Sequence, residues 1–379
     1  MKTNWPIKKI GELLKTKPQY GFTAKASLQE KPYLYLRITD INDSGMLNLA
    51  NPKFIDTNEV TFKKYALEND DILIARSGSV GRMYLVNKTD LPKPALFASY
   101  LIRFKLDKNK VLPKFFFLYS LSPYYKNFIS RTLNQVTQPN INAQQYSNLE
   151  IPIPPLQIQK QIVAKIEKYF EKIDKAIVLR QKSLVGTNQI FCSSLKKVLQ
   201  NISKKNKMIE FSECIKKLPK KIKGIAKTNY YREGNYPIVD QGASLIGGYT
   251  NDKYTTYQGE LPVIIFGDHT RIFKYIDFVF AIGADGTKII DPKDEFNPKY
   301  FYYALQDLDL ESLGYSRHYK ILKKERIPLP SISEQKKIVA YLNNLREKVE
   351  KLKTLQQNQL ADLSSLKQSI LSSAFEGEL

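Results

Sequence analysis

Apolar positions recur at a seven-residue spacing in two long stretches of the chain, and each stretch follows a proline-containing strip. The strips are residues 151–155 (Ile-Pro-Ile-Pro-Pro) and 327–330 (Ile-Pro-Leu-Pro). Proline fixes φ and lacks an N–H, so it is tolerated before a helix or in its first turn and not in its interior. A heptad repeat keeps one helix facing another along a seam. We therefore predict two long helices that begin after the strips and pair with each other.

Polar residues interrupt both repeats at matching places. The seam rows of the second stretch are Ile338, Leu345, Leu352, Gln359, Leu366 and Leu342, Val349, Gln356, Leu363, Ile370. Those of the first are Ile162, Tyr169, Ala176, Ser183 and Ile166, Ile173, Arg180, after which the register slips. The constant offset between the copies aligns Arg180 and Ser183 with Gln356 and Gln359. In an antiparallel pair these midpoints meet, and a polar layer there would set the register at a cost in stability. The alternative is two amphipathic helices that merely cap two domains.

Short β-forming runs on either side of the first helix predict two globular domains of similar plan. The matched runs are 33–41 with 236–242, 71–76 with 262–270, and the helix-forming 113–119 with 298–304. The predicted boundaries are 1–150 for the first domain, 151–205 for the first helical region, 206–327 for the second domain and 328–379 for the second helical region. We predict an α+β fold in which two similar mixed α/β domains are separated by two long antiparallel helices, a coiled-coil spacer with pseudo-two-fold symmetry.

The charge of the chain indicates a polyanionic partner. Its 379 residues contain 59 Lys and Arg against 37 Asp and Glu, a net charge of +22. Hydrophobic residues make up 42% of the chain, which excludes a disordered protein. A large net positive charge favours binding to nucleic acid, whose phosphates are negative. An anionic membrane would fit it too, but no basic segment shows a clean apolar face and no apolar run approaches the ~18–20 residues of a membrane span. The N-terminus lacks the apolar core of a signal peptide, so we expect a cytoplasmic protein that does not bind membranes.

Candidate chemistry is sparse. The two cysteines, Cys192 and Cys214, and the two histidines, His269 and His318, are too scattered for a structural zinc site, so we expect no metal. A hydrolase could use His269 as a base oriented by Asp268. However, adjacent residues on a strand point to opposite faces, which argues against this pair. The chain also contains neither an Asn-Pro-Pro-Tyr nor an Asp-Pro-Pro-Tyr tetrapeptide and no glycine-rich cofactor loop. We therefore expect no catalytic residues.

Two loops of the first domain carry side chains suited to DNA. One follows the predicted buried strand and contains Arg76, Ser77, Ser79 and Arg82. Arginine can bind guanine in a bidentate manner, and serine binds phosphate. The other is rich in amides that match adenine edges, and its candidates are Gln135, Thr137, Gln138, Asn140 and Asn142. The alternatives are a hairpin turn with solvated arginines and an ordinary polar connection. Arg37 is a further candidate in this domain.

Two clusters of the second domain mix cationic, aromatic and hydrogen-bonding groups. One follows a buried strand and contains His269, Thr270 and Arg271; the other precedes the second long helix and contains Tyr315, Arg317, His318 and Lys320. Gln241 is a further candidate. The alternative is that these are structural polar loops. A run of lysines, Lys216, Lys217, Lys220, Lys221 and Lys223, is either a solvated face or a phosphate clamp.

The order and duplication of these motifs resemble the specificity subunit of a type I restriction–modification system. The resemblance rests on residues 36–41 (Leu-Arg-Ile-Thr-Asp-Ile), the two proline strips with Gln161-Ile162-Val163 and Glu334-Gln335, and the terminal stretch 370–379. It implies that each globular domain is a target recognition domain reading half of a split double-stranded DNA sequence. It further implies that two methyltransferase subunits, together with restriction subunits that translocate and cleave DNA, assemble around this subunit. Those partners would use S-adenosylmethionine, ATP and Mg²⁺, and this subunit would need no cofactor.

Two other functions remain open from the residues alone. One is a stand-alone nuclease with an unrecognised site, which would cleave DNA without partners. The other is a coiled-coil adaptor that binds only proteins, which would show no DNA sequence preference.

Overall fold

The same succession of strands and helices occurs twice along the chain. The structure, a computed structural model, describes residues 5–134, 139–217, 224–284, 286–312, 314 and 316–379. It divides into two units. The first comprises the chain up to Arg180 together with Asn358–Leu379, and the second comprises Gln181–Gln357. Both boundaries fall inside long helices, so each unit combines one globular domain with a part of each helix.

The first unit alternates short strands with short helices before its long helix. Its strands are β1 (Ile7–Lys9), β2 (Gln19–Tyr20), β3 (Tyr33–Leu36), β4 (Phe54–Ile55), β5 (Ile72–Ala75), β6 (Met83–Leu85), β7 (Ala95–Phe97), β8 (Leu101–Phe104) and β9 (Glu150–Pro152). Its helices are α1 (Glu59–Tyr65), α2 (Pro113–Ser120), α3 (Pro123–Leu133), α4 (Ala143–Ser147) and the beginning of α5 (Leu156–Ser203).

Two sheets form the globular part of this unit. In one, the fully buried strand β5 lies between β8 and β6 and is antiparallel to both, and β2 pairs with the other edge of β8. In the other, β3 lies between the antiparallel β4 and the parallel β7. Separately, β1 pairs with β9, so the first proline strip is itself partly a strand. The apolar run at 71–76 thus forms the buried central strand that the sequence predicts.

The strand predicted at 33–41 is shorter in the structure. It stops at Leu36, and Ile38–Asp40 form a 3-10 turn. The cause is local, because the carboxylate of Asp40 accepts a hydrogen bond from the backbone N–H of Arg37 at 2.8 Å. Such side-chain capping draws the backbone away from the extended conformation.

The second unit repeats this arrangement. Its strands are β10 (Lys207–Glu210), β11 (Tyr236–Val239), β12 (Gly248–Thr250), β13 (Val263–Gly267), β14 (Phe273–Ile276), β15 (Ala281–Ile282), β16 (Thr287–Ile290) and β17 (Arg326–Leu329). Its helices are the remainder of α5, α6 (Phe211–Cys214), α7 (Pro298–Gln306), α8 (Tyr319–Leu322) and the part of α9 (Ile332–Glu376) up to Gln357.

Strand pairing shows that the two units share one topology. The buried strand β13 lies between β14 and β16 and is antiparallel to both, as β5 is to its neighbours. β11 lies between the antiparallel β12 and the parallel β15, as β3 lies between β4 and β7. β10 pairs with β17, the second proline strip, as β1 pairs with β9. The predicted similarity of the two domains is therefore confirmed at the level of strand order.

An aromatic helix joins each domain to the long helices. α2 and α7 both begin with a proline in the first turn, and all their aromatic residues are buried. In the first unit the rings of Phe115 and Phe375 of α9 are 5.2 Å apart. In the second unit Tyr303 lies 5.9 Å from Phe191 of α5. Each domain thus shares a hydrophobic core with its segment of the paired helices.

α5 and α9 run antiparallel in the second unit, where Gln356 of α9 contacts Ser183 of α5 and the earlier Arg346 of α9 contacts the later Phe191 of α5. In the first unit Lys367 forms an ion pair with Asp174 at 2.5 Å and lies 4.6 Å from the ring centre of Phe170. In the second unit Arg346 lies 4.5 Å from the ring centre of Phe191. The offset between the two sequence copies places Phe170 on Arg346 and Phe191 on Lys367. Equivalent positions therefore form a cation–π pair in both units. The position that carries the ring in one unit carries the cation in the other.

One predicted seam row is more deeply buried than the other. Leu342, Val349 and Gln356 of α9 are buried, whereas Leu352 and Leu366 are exposed. A straight helix has 3.6 residues per turn, so a strict seven-residue row drifts around its surface. None of the helices among the described residues is both long and apolar enough to cross a membrane.

Candidate nucleic-acid interface

Several candidate DNA-binding residues follow equivalent central strands in the two units. Arg37 comes directly after β3, and Arg76 comes directly after β5. In the second unit Gln241 follows β11, and His269 follows β13. Since these strands occupy equivalent places in the two topologies, the loops that leave them are equivalent positions carrying different side chains. A shared scaffold with different loop residues is how folds present different contact surfaces.

In the first unit, Arg76 is oriented by two neighbours. Its guanidinium lies 4.9 Å from the ring centre of Tyr20, and its Nε donates to Asn140 Oδ1 at 3.4 Å. Ser77 pairs with Asn140 as an isolated strand bridge, and Ile141 N donates to Arg76 O at 2.9 Å. The structure therefore brings the two predicted loops together at Arg76, Ser77 and Asn140. The stacked guanidinium keeps donors available for a base or a phosphate.

An open recess of about 770 Å³ lies beside this cluster in the first unit. Its lining includes the predicted residues Arg37, Ser77 and Ser79, together with Thr23, Lys53 and Tyr100. The Tyr100 side chain is 62% exposed. An exposed aromatic beside serines and cations can stack on a base or pack on a sugar while its neighbours bind polar groups.

Two of the predicted arginines are engaged within the first unit. Arg37 donates to both carboxylate oxygens of Asp40, and its Nη2 donates to Asn51 O at 2.9 Å. Arg82 donates to Asp43, and its Nη1 donates to Ile41 O at 2.7 Å. Asp43 is largely exposed, so its ion pair with Arg82 contributes little to stability and can be exchanged for a phosphate at low cost.

Asn142 has a local structural role. It is the N-cap of α4, where its side chain accepts from Gln145 N at 2.9 Å and its own N–H donates to the Gln145 side chain. The predicted contacts Gln135, Thr137 and Gln138 lie outside the described residues, as do Tyr315 and three members of the lysine run, Lys220, Lys221 and Lys223.

In the second unit, Gln241, His269 and Thr270 form one cluster across two loops. Gln241 Oε1 accepts from His269 N at 3.2 Å, and Thr270 Oγ1 donates to Gln241 O at 2.6 Å. Gly286 closes one side with φ +73°, and a Cβ there would lie 2.8 Å from Gln241 Oε1. Only glycine fits this left-handed, crowded position without strain. Arg271 has φ 60° and donates from Nη1 to Leu310 O at 2.7 Å.

Burial changes the interpretation of His318. Its side chain is 1% exposed, and both its backbone N–H and its ring Nδ1 lie 2.9 Å from Asp268 O. Asp268 in turn accepts from Tyr319 N at 2.7 Å. His318 therefore supports the His269 loop from behind instead of facing outwards. Arg317 and Lys320, on either side of it, are exposed.

Sequence reasoning missed a buried lysine that supports the Gln241 loop. Lys274 Nζ donates to Asp240 O at 2.7 Å and to Ser244 O at 2.5 Å, and Asp240 Oδ1 lies 3.7 Å away. Burial lowers the pKa of Lys274, and the Asp240 carboxylate opposes that shift. The sequence pattern around Lys274 is that of an ordinary outward-facing residue in a half-exposed strand, so it did not predict this structural role.

The four residues predicted to set the register of the helix pair differ in their burial. Gln356 is buried in the second unit and donates from Nε2 to Ser183 Oγ at 2.9 Å. Arg180 and Gln359 are exposed. Among the described residues, no group of three or more His, Cys, Asp or Glu side chains is arranged to hold a metal ion.

The architecture and loops define a tandemly duplicated α+β protein with two long helices and two different polar loop surfaces, one in each unit. A sequence profile of the type I restriction modification DNA specificity domain matches residues 2–179 and again 203–360. The chain therefore belongs to this family, contains its domain twice, and is a type I restriction–modification specificity subunit with two target recognition domains.

Relatives and solved structures agree with this assignment. A candidate type I restriction enzyme MjaX specificity subunit of Methanocaldococcus jannaschii is 25% identical over 380 residues, covering 92% of this chain and 88% of its own length. The type I restriction enzyme EcoR124I/EcoR124II specificity subunit of Escherichia coli is 29% identical over 145 residues, covering 37% of this chain and 36% of its own length.

Two solved structures share the fold. A chain from a structural study of complex assembly and conformational transition in the type I R-M system has a TM-score of 0.77, with 99% of this chain and 98% of that chain covered at 20% identity. The HsdS subunit from Thermoanaerobacter tengcongensis has a TM-score of 0.59, with coverages of 99% and 97% at 20% identity.

Proposed function

We propose that this chain reads a bipartite double-stranded DNA target, one half-site per domain, on behalf of the methyltransferase and restriction subunits of its complex. The observation that carries the proposal is that equivalent loops on one duplicated scaffold present different polar side chains. After the buried central strand, Arg76 and Ser77 of the first unit correspond to His269 and Thr270 of the second. After the central strand of the other sheet, Arg37 corresponds to Gln241. Different side chains at equivalent positions suit two different base sequences.

The paired helices would set the gap between the half-sites. α5 has 48 residues and α9 has 45. At ~1.5 Å per residue each spans roughly 70 Å, which compares with about two turns of DNA. A paired helix is stiffer than a flexible linker, so it supports a fixed spacing.

Electrostatics would supply most of the non-specific affinity. The net charge of +22 favours binding to phosphates, and binding driven by counterion release weakens steeply as salt rises. The base-facing side chains would add sequence preference on top of this attraction.

Exposed apolar positions on the long helices support two copies of the methyltransferase partner. Leu179 is 67% exposed in the first unit, and its equivalent in the second unit, Leu355, is 60% exposed. Leu366 and its equivalent Ile190 are also exposed, again one in each unit. Each unit thus exposes two apolar side chains at equivalent positions, which fits one methyltransferase subunit per unit.

DNA methylation and DNA cleavage would be catalysed entirely by the partner subunits. In this proposal S-adenosylmethionine, ATP and Mg²⁺ bind to the methyltransferase and restriction subunits, and this chain contributes sequence recognition and assembly. The complex would act in the cytoplasm, where its DNA substrate lies.

The decisive test is sequence-specific methylation. The chain is assembled with its methyltransferase subunits, and the methylated positions in a random DNA library are mapped. The proposal expects one bipartite motif with a fixed gap and no plasmid cleavage by the purified chain with Mg²⁺. Cleavage by the chain alone would make it a nuclease, and binding to partners without any DNA preference would make it an adaptor.

A further inference from the structure

Two glutamines occupy equivalent places at the beginnings of the two long helices. Gln159 lies in the first turn of α5, and Gln335 lies in the first turn of α9. They are separated by the same offset that relates Pro154 to Pro330. Both side chains are 0% exposed. Buried amides are costly unless their polar groups are paired, so two such residues at matched positions call for a physical explanation.

Gln159 uses its amide to join three parts of the first unit. Its Oε1 accepts from Leu112 N at 2.9 Å, and its Nε2 donates to Lys110 O at 3.1 Å and to Pro154 O at 2.8 Å. Leu112 is the N-cap of the aromatic helix α2, and Pro154 belongs to the proline strip. One side chain on the long helix therefore bonds the segment that enters α2 and the strip that leaves the domain.

Gln335 makes the same three hydrogen bonds in the second unit. Its Oε1 accepts from Asn297 N at 2.6 Å, and its Nε2 donates to Glu295 O at 2.9 Å and to Pro330 O at 2.9 Å. Asn297 is the N-cap of α7, as Leu112 is of α2. In both units the carbonyl acceptor in the domain lies two residues before the N-cap. We call each glutamine with its three hydrogen bonds a bracket. The two brackets use the same backbone atoms at equivalent positions.

The directionality of these bonds distinguishes the bracket from ordinary core packing. An apolar side chain of similar length would fill the space, but its dispersion contacts are individually weak and have little directional preference. Hydrogen bonds weaken steeply when distance or angle changes. A buried amide whose acceptor and both donors are engaged therefore fixes the orientation of the domain on its helix.

We propose that Gln159 and Gln335 are positioning residues for DNA reading: each fixes the angle of one recognition domain on its long helix, and together they determine which gap between half-sites is accepted. The inference rests on the proposed function, because gap selection has meaning only for a bipartite reader. Neither residue is proposed to touch DNA. The bracket would thus set the spacing and leave the base preference within each half-site unchanged.

The test compares full-length variants assembled with the methyltransferase subunits. Gln159→Met and Gln335→Met remove the amide but keep an unbranched side chain of similar length. Gln161→Met and Lys336→Met, at exposed positions near each bracket, serve as matched controls. Methylation rates are measured on DNA with the correct gap and with gaps changed by one base pair. Hydrogen exchange of the peptide covering residues 107–116 is measured in parallel.

The bracket predicts that discrimination against the wrong gap falls about tenfold in either glutamine variant, equivalent to ~1.4 kcal/mol. Base preference within each half-site stays as in the wild type, and residues 107–116 exchange faster in Gln159→Met. Wild-type gap discrimination in both glutamine variants, even with a lower melting temperature, would overturn the positioning role. If the wild type itself accepts all gaps, the proposed function fails instead.

A milder variant covers the case in which Gln159→Met does not fold. Gln159→Asn keeps the amide but shortens it by one methylene, so it cannot reach both the loop and the strip. A folded Gln159→Asn complex with relaxed gap selection supports the bracket. If Gln159→Asn also unfolds, Gln159 is a folding residue and the proposed role is wrong.

Discussion

Gln356 of α9 donates a hydrogen bond from its buried side chain to the Ser183 hydroxyl of α5 at 2.9 Å. The Gln356 side chain is 4% exposed, and its Oε1 has no hydrogen-bond partner within the described part of the chain. The amide is therefore only half satisfied. A buried polar group of this kind costs stability and favours the one register in which its partner is present.

The Gln356→Leu variant is expected to be more stable than the wild type. Leucine removes an unsatisfied buried oxygen, so the free energy of unfolding should rise by about 1 kcal/mol. Calorimetry of the full chain measures this. Gln357→Leu, at the exposed neighbouring position, is the control and should give no rise. A drop in stability for Gln356→Leu would show that the Ser183 hydrogen bond outweighs the unsatisfied oxygen.

Substitutions of candidate DNA-binding arginines in the two units should affect different half-sites. Arg76→Ala is expected to weaken discrimination at one half-site by about 1–3 kcal/mol, the range for a bidentate base contact. Arg317→Ala is expected to do the same at the other. Methylation of targets with single base changes in each half measures the two effects. Arg326→Ala removes an exposed charge from β17 and should leave both halves unchanged.

The separation of effects is the informative result. If Arg76→Ala and Arg317→Ala impaired the same half-site, the assignment of one half-site to each domain would be wrong. A uniform loss of affinity on all sequences would instead assign the residue to phosphate binding.

Charge introduced on the long helices should remove one methyltransferase subunit at a time. Leu179→Glu is expected to lose one copy, Leu355→Glu the other, and the double variant both, since a carboxylate disfavours burial in an apolar interface. Native mass spectrometry of the assembled complex counts the copies. Gln181→Glu adds the same charge at an exposed neighbour of Leu179 and is the control. Two copies bound to the double variant would place the docking surface elsewhere.

The two cysteines should differ sharply in reactivity. Cys214 is buried beside β10, and burial raises the pKa of its thiol to about 12. Cys192 is exposed on α5. Because the thiolate is the reactive form, alkylation of the native protein near pH 8 should modify Cys192 alone, and Cys214 only after unfolding. Mass spectrometry of the peptides reports both sites. Rapid native labelling of Cys214 would mean that the second domain opens readily.

Much of the fold followed from periodicity and repetition. The heptads, proline strips and matched apolar runs predicted the long helices, the aromatic helices and the equivalent central strands. The ends of strands were less predictable, because one side chain decides them. The Asp40 carboxylate turns the backbone after Leu36, and nothing in the apolar pattern shows this.

The sequence predicted DNA-binding candidates in the loops after the buried strands, but it did not predict the orientation of each side chain. The loops after the buried strands were identified because their residue types suit DNA. Whether a polar residue faces outwards or supports a loop depends on tertiary burial. His318 and Lys274 are both buried beneath loops, where they bond backbone carbonyls. Gln159 and Gln335 look like ordinary helix residues in the sequence, and only the structure shows their matched hydrogen bonds.

The central claim is that paired helices hold two reading domains at a set separation on DNA. Its most direct test is methylation of a target series in which only the gap varies, by complexes of the wild type and of a variant that lacks residues 180–186 and 356–362 and keeps Leu179 and Leu355. Seven residues correspond to ~10 Å of helix, or about three base pairs. The account predicts a single preferred gap for the wild type and a shorter one for the variant. An unchanged preferred gap in a folded variant would contradict it.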